Sequence, residues 1–276
     1  MKVLLIGGNR FLGHELALRL VAASHAVTLF NRGTLADTLG GRVERLRGDR
    51  TSGDLERVLG GRRFDAVVDF AAFDRGQWEY GIKKRALEDE LHAAWETRRF
   101  PATRLRIPMV NGERDHFRRI ERYLWRMLDG GPILLPGGGA RVTRHVYSGA
   151  VVKAILGLLG REASFGRAYN LAQDETPSLR ELLAALASLV GAAPRLVDVS
   201  AEAVREAGLD PLALSPFSGE WMSFVDPALA RQELGFRHEP LAAYLDKIVT
   251  SFLAHPPAEP PPAYEKRDAE LRLAGV

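Results

Sequence analysis

The chain opens on a short apolar run, Val3-Leu4-Leu5-Ile6, ended by a glycine pair, and this predicts a buried strand over residues 2–6. Apolar positions then recur at helical spacing. Leu12, Leu16 and Leu20, flanked by Ala17 and Val21, predict a helix from Phe11 to about Ala23. Ala26–Phe30 reads as a second strand, and Val43–Leu46 as a short third one ending at Gly48-Asp49-Arg50. Leu55–Leu59 predicts a helix stopped by Gly60-Gly61, and Phe64–Phe70 a fourth strand. The order β-α-β-x-β-α-β is the opening half of a doubly wound parallel sheet.

The pattern continues with a helix from Tyr80 to about Trp95 and a strand from Thr103 to Ile107, halted by Pro108. Phe117, Ile120, Leu124, Met127 and Leu128 lie on one face of a further helix, closed by Gly130-Gly131-Pro132. Ile133–Leu135 precedes a loop containing Gly137-Gly138-Gly139. Helices are predicted at 149–159, at 178–190 with Ser178 as cap, at 227–234 and at 240–253. Five prolines between 256 and 262 exclude a helix there. The fold class expected is α/β, a Rossmann doubly wound parallel sheet with a smaller C-terminal region. Residues 1–111 and 140–172 would form the first domain, and 112–139 with 173–276 the second.

Composition narrows the chemistry. The 276 residues include no cysteine, which removes disulfides, thiolate metal sites and cysteine nucleophiles. The scattered histidines have no spacing that suggests metal ligation, and His145 reads as a packed loop residue. No apolar run approaches the ~18 residues of a membrane helix. The first apolar stretch is too short for a signal-peptide core, so a cytoplasmic protein is expected. Net charge is +3, from 38 basic and 35 acidic side chains, and the basic pairs are scattered without aromatic interleaving. That distribution argues against nucleic acid as a partner.

The segment Gly7-Gly8-Asn9-Arg10-Phe11-Leu12-Gly13 lies directly between the first strand and its helix. Gly7 permits a tight turn, Gly13 lets helix and strand pack closely, and free amides at the helix start would face a bound pyrophosphate. The second strand ends in Phe30-Asn31-Arg32-Gly33, where an NAD-specific protein usually carries an acid for the ribose hydroxyls. Neutral Asn31 and cationic Arg32 would instead accept a 2′-phosphate, which favours NADP over NAD.

These motifs resemble those of the extended short-chain dehydrogenase/reductases, the NAD(P)-dependent epimerase/dehydratase family. The Gly-Gly-x-Arg-Phe-Leu-Gly and Phe-Asn-Arg-Gly variants look most like its isoflavone-reductase-like and chloroplast stem-loop-binding-like subgroup. The resemblance extends over nearly the whole chain, through Leu105–Gly112, Ala168–Ala172 and Glu233–Phe236. Arg10 replaces the family's usual middle glycine, and its guanidinium would lie on a phosphate or over the adenine. Asp49 matches the family's adenine-contacting acid, and Ala71 and Ala72 match the small residues flanking the adenosine ribose. Ile107 lies in the strand that leads to the nicotinamide carboxamide. Tyr80 and Lys84 fit the Tyr-x-x-x-Lys pair, sharing one helix face. There the Lys84 ammonium would lower the Tyr80 pKa and bind the nicotinamide ribose, leaving the phenol to exchange a proton with substrate. Asn111 and Arg144 are candidate substrate contacts. The implied function is an epimerase, dehydratase or reductase acting on a small polar substrate such as a nucleotide sugar, in a protein able to form a homodimer. The rivals are a catalytically silent NADP-binding protein and an RNA-binding relative.

One departure is large. In the family, a helix and a fifth strand, ending in a Ser or Thr that bonds the reacting oxygen, lie between the fourth strand and the Tyr/Lys helix. Here only the seven residues Phe73–Glu79 separate Ala72 from Tyr80. A helix of ~10 residues, a strand of ~5 and their loops need at least ~20. Either a segment is absent from the sequence or the protein has lost one β-α unit. A second departure, the missing acidic pair near Gly149-Ala150, bears on a helix cap.

Overall fold

The computed structural model describes residues 1–70, 77–219 and 224–276. Its N-terminal elements run β1 (Lys2–Ile6), α1 (Phe11–Ala22), β2 (Ala26–Asn31), β3 (Glu44–Arg47), α2 (Asp54–Leu59), β4 (Ala66–Asp69) and α3 (Gln77–Arg98). Then follow β5 (Arg104–Arg106), β6 (Val110–Asn111), α4 (Arg119–Leu128), β7 (Ile133–Pro136), β8 (Val146–Tyr147), α5 (Ser148–Leu158) and β9 (Ala168–Asn170). The chain ends with α6 (Leu179–Val190), β10 (Leu196–Val199), α7 (Ala201–Glu206), α8 (Pro211–Leu214), α9 (Ala228–Leu234), α10 (Leu241–Ala254) and α11 (Arg267–Leu273). No described helix is long and apolar enough to cross a membrane.

Two compact units divide the chain. The first holds Met1–Arg106, Ser148–Asn170 and Ala228–Phe236; the second holds Ile107–Tyr147, Leu171–Pro227 and Arg237–Val276. The second unit is as large as the first rather than smaller, because residues 107–111 and 140–147, expected in the first domain, fall within it. Conversely, α9 packs on β9 in the first unit, where Arg167 and Tyr169 both hold Glu233.

In the first unit β1 is central because both its edges find parallel partners. Leu4 lies opposite Thr28 of β2 and Val67 of β4, and β3 adds to the far side of β2 in the order β3-β2-β1-β4. Val3, Leu5, Leu16, Ala17 and Leu20 are fully buried, so α1 covers this sheet with the face its apolar spacing predicts. The run of parallel ladders ends there. Strand β5 pairs with β9, and among the described residues no ladder joins β4 to β5. The seven residues before Tyr80 are too few to supply the strand and helix that would fill that position.

The second unit is built on two short parallel pairs, β6 with β8 and β7 with β10, and on α6, which packs against both α4 and α10. Ser178 caps α6 in a reciprocal capping box with Glu181. Arg126 of α4 forms a fully buried ion pair with Glu270 of α11, so the last helix is tied into the unit's interior. The proline-rich stretch before it is non-helical from 256 to 262. Strands β6 to β10 and helices α7, α8 and α11 were not predicted, being mostly too short for a periodic signal.

Candidate functional site

The glycine-rich turn sits at the C-terminal end of β1. Gly7 takes a left-handed φ of 78°, and its amide donates to the Phe30 carbonyl of β2 at 3.0 Å. A methyl group on Gly13 would lie 2.5 Å from Cα of Gly8, and one on Gly8 would lie 2.8 Å from Cβ of Leu5. Helix α1 therefore approaches the strand at a distance only glycine permits. Arg10 precedes the helix in an extended conformation and makes no side-chain cap, so no side chain of the N-cap occupies the first amides of α1. Phe11 takes a left-handed φ of 41°, strained for a phenylalanine. Leu12 is buried, and the Asn9 carboxamide donates to the Leu35 carbonyl at 3.4 Å. A cradle closed to Cβ atoms and open at its helix amides fits a dinucleotide pyrophosphate.

Beside it, β2 and β3 end together. The Asn31 side chain accepts from the Gly33 amide at 2.8 Å, holding the turn in which exposed Arg32 stands. The Asp49 carboxylate accepts from the amide and hydroxyl of Thr51 at 2.8 and 2.6 Å. These bonds, and then the charge of Arg32, hold its pKa below the usual carboxylate value. Asp69, at the end of β4, pairs with Arg50 at 3.0 Å. Ala71 and Ala72 lie outside the described residues.

Tyr80 and Lys84 share a face of α3, with the Lys84 ammonium 5.6 Å from the centre of the Tyr80 ring. Burial pushes the Tyr80 phenol above its usual value. Desolvation holds the Lys84 ammonium below its usual value, opposed by the negative charge of Asp69. The sequence spacing brings the two together, but burial raises the Tyr80 phenol where the spacing led one to expect a lowering.

The other candidates lie in the second unit. Ile107, at its first residue, is partly exposed. Asn111 on β6 is buried, and its amide contacts Nδ1 of His145 at 2.9 Å. His145 is enclosed, its ring against Phe217 at 4.7 Å, and burial pushes its pKa down to about 3, so it is neutral at pH 7. Arg144 lies over the Phe224 ring at 4.6 Å and donates to the Val225 carbonyl at 3.2 Å. Asn111 also lines a cavity of about 470 Å³ with Arg119, Ile120, Ile248, Ser251 and Phe252. Sequence reasoning missed the α10 wall of this cavity, because its residues are ordinary positions of an amphipathic helix. It also missed Tyr147, whose hydroxyl donates to Glu113 at 2.7 Å and whose amide donates to His238 at 2.8 Å. Among the described residues, no cluster of three or more His, Asp or Glu could hold a metal ion.

Residues 73–172, which include Tyr80, Lys84, Asn111 and Arg144, match the model of the NAD dependent epimerase/dehydratase family. No curated protein matches the chain. Its structure is similar to that of dTDP-glucose 4,6-dehydratase from Bacillus anthracis in complex with NAD, with a TM-score of 0.74, 15% identity, and coverage of 92% of this chain and 97% of that one. It is similar to UDP-glucose 4-epimerase from Thermotoga maritima with UDP-glucose, with a TM-score of 0.73, 18% identity and coverage of 92% and 99%. A dTDP-glucose 4,6-dehydratase from Streptomyces venezuelae gives a TM-score of 0.70 at 21% identity, over 92% and 98% of the two chains. Identities this low establish the fold alone, and the family model adds a similarity confined to residues 73–172.

Proposed function

We propose that this protein is an NAD(P)-dependent epimerase, dehydratase or reductase of the extended short-chain type, acting on a small polar substrate of the nucleotide-sugar class. The observation that carries the reading is the turn from Gly7 to Gly13, where helix α1 meets β1 at a separation no larger residue allows and presents its first amides. Those amides would hold the pyrophosphate, with Arg10 beside it, and Asn31 and Arg32 would favour NADP over NAD. The residues of this turn would hold a cofactor whose nicotinamide supplies hydride transfer to or from substrate. Lys84 would bind the ribose, and Tyr80 would carry the proton at its phenol oxygen. Asn111 and Arg144 would contact substrate. The nucleotide-sugar class is supported by UDP-glucose in the Thermotoga epimerase complex.

A second reading, a catalytically silent NADP-binding protein, is favoured by one observation: β4 and β5 are not joined by a ladder, so the strand that would deliver a catalytic Ser or Thr has no place among the described residues. One experiment separates the two. NADPH is titrated by its own fluorescence, and conversion of a panel of nucleotide sugars with NADP+, NAD+ or NADPH present is then followed by chromatography of the sugars, for wild type and Tyr80→Phe. The enzyme reading expects saturable binding, turnover of at least one sugar, and loss of about 100-fold or more in Tyr80→Phe. Binding without turnover overturns it in favour of the silent protein; no binding overturns both.

A further inference from the structure

We propose that Arg47, at the end of β3, is a cofactor-specificity residue that joins Arg32 in clamping the 2′-phosphate of NADP(H). The inference rests on the dinucleotide-binding reading of the Gly7–Gly13 turn and adds a residue that no motif identifies.

Three observations carry it. The first is position. Arg47 is the register partner of Asn31 across the β2–β3 ladder, so it ends its strand level with the residue that opens the Arg32 turn. Parallel strands end on the same side of a sheet, and in this fold that side faces the ligand. The second is the path of the side chain. A methyl group on Gly33 would lie 2.9 Å from Nε of Arg47 and 3.1 Å from its Cδ, so the Arg47 side chain lies across the backbone of the glycine that follows Arg32. Gly33 has φ 73° and is fixed by the Asn31 side chain, which keeps this crossing open. Two guanidinium groups thus flank one turn.

The third observation is charge. Around this corner most arginines are committed: Arg45 to Asp37, Arg50 to Asp69, Arg57 to Asp54 and Arg62 to Glu44. Arg32 and Arg47 have no ion-pair or hydrogen-bond partner among the described residues. Asp49 lies two residues after Arg47, and its charge acts on Arg32, but one of its oxygens is already bonded twice by Thr51. Two exposed, uncommitted guanidinium groups beside the place where an adenosine ribose would lie match a dianionic phosphate monoester, which accepts several charge-assisted bonds.

The test is calorimetric titration of wild type, Arg47→Met and Arg47→Lys with NADPH and, separately, with NADH. Wild type should favour NADPH. Arg47→Met should weaken NADPH by about tenfold or more, the cost of a hydrogen bond between charged groups, while NADH changes by less than about twofold. Arg47→Lys should recover part of the NADPH affinity, and the melting temperatures of all three should coincide. Equal losses for both cofactors, or no loss for NADPH, overturn the assignment. Wild type that binds NADH without favouring NADPH also overturns it while leaving the dinucleotide site standing. Wild type that binds neither cofactor overturns the dinucleotide reading itself, and the role of Arg47 with it.

Discussion

Within the first unit, strands β1 to β4 and the segment from α3 to β5 differ sharply in how they are held. In the first group β1 and β2 have partners on both edges, and Val3, Leu4, Leu5, Leu29 and Phe30 are almost wholly buried. In the second, β5 has one partner among the described residues, α3 exposes Ile82 and Leu87, and Val67 on the last strand of the intact sheet is 56% exposed. Polar contacts substitute for packing there. Arg104 donates to the Glu88 and Gly166 carbonyls, and Arg106 pairs with the Glu88 carboxylate. Solvent-exposed pairs of this kind contribute ~1 kcal/mol or less, far below a buried leucine. The half bearing the glycine-rich turn thus rests on a packed sheet, and the half bearing Tyr80 and Lys84 rests largely on exposed polar contacts.

The largest effect that would break this contrast is expected at the packed end. Gly13→Val places a branched side chain where even a methyl group would lie 2.5 Å from backbone. It should destabilise by ~3 kcal/mol or more in urea denaturation and lose NADPH binding altogether. Leu5→Ala, at a fully buried position, should cost ~2–5 kcal/mol by the same measurement. If either variant behaves like wild type, the β1–β4 half is not the rigid base described above.

The sequence made the packed half legible because its signals are local. Glycines around one turn, leucines at i, i+4 and i+8 and short apolar strands each declare themselves within a dozen residues, and β1, α1, β2, α2 and β4 lie within about two residues of their predicted places. Tyr80 and Lys84 were legible through spacing, but their pKa directions were not, since burial depends on what covers α3. The unit boundary was legible only in part: α9 joins the first unit by reaching Arg167 and Tyr169 through Glu233, a contact 64 or more residues away in sequence. Arg47 carries no motif at all and gains meaning only from the register that places it opposite Asn31.

A smaller effect separates the halves by pH. A phenol raised above its usual value is ionised to less than about one part in a thousand at pH 7. If Tyr80 acts as a base, the active fraction rises as protons leave it, so turnover should climb with pH and reach no plateau below about pH 10. A plateau near neutrality would mean that a group absent from the described surroundings stabilises the phenolate, and the exposed half would then be complete in the working protein.

The smallest effect expected is at Val67. Thr has nearly the shape of Val and a similar preference for strands, so at a position already more than half in water Val67→Thr exchanges a solvated methyl for a solvated hydroxyl. The change in unfolding free energy should stay within ~0.5 kcal/mol. The same substitution under a neighbouring strand or helix would bury a hydroxyl without a partner and cost ~1–3 kcal/mol. Urea denaturation of Val67→Thr therefore reads directly whether β4 is an edge. A cost above ~1.5 kcal/mol would require that something covers this strand in solution, and the contrast between the halves would reduce to a difference in what the covering element is.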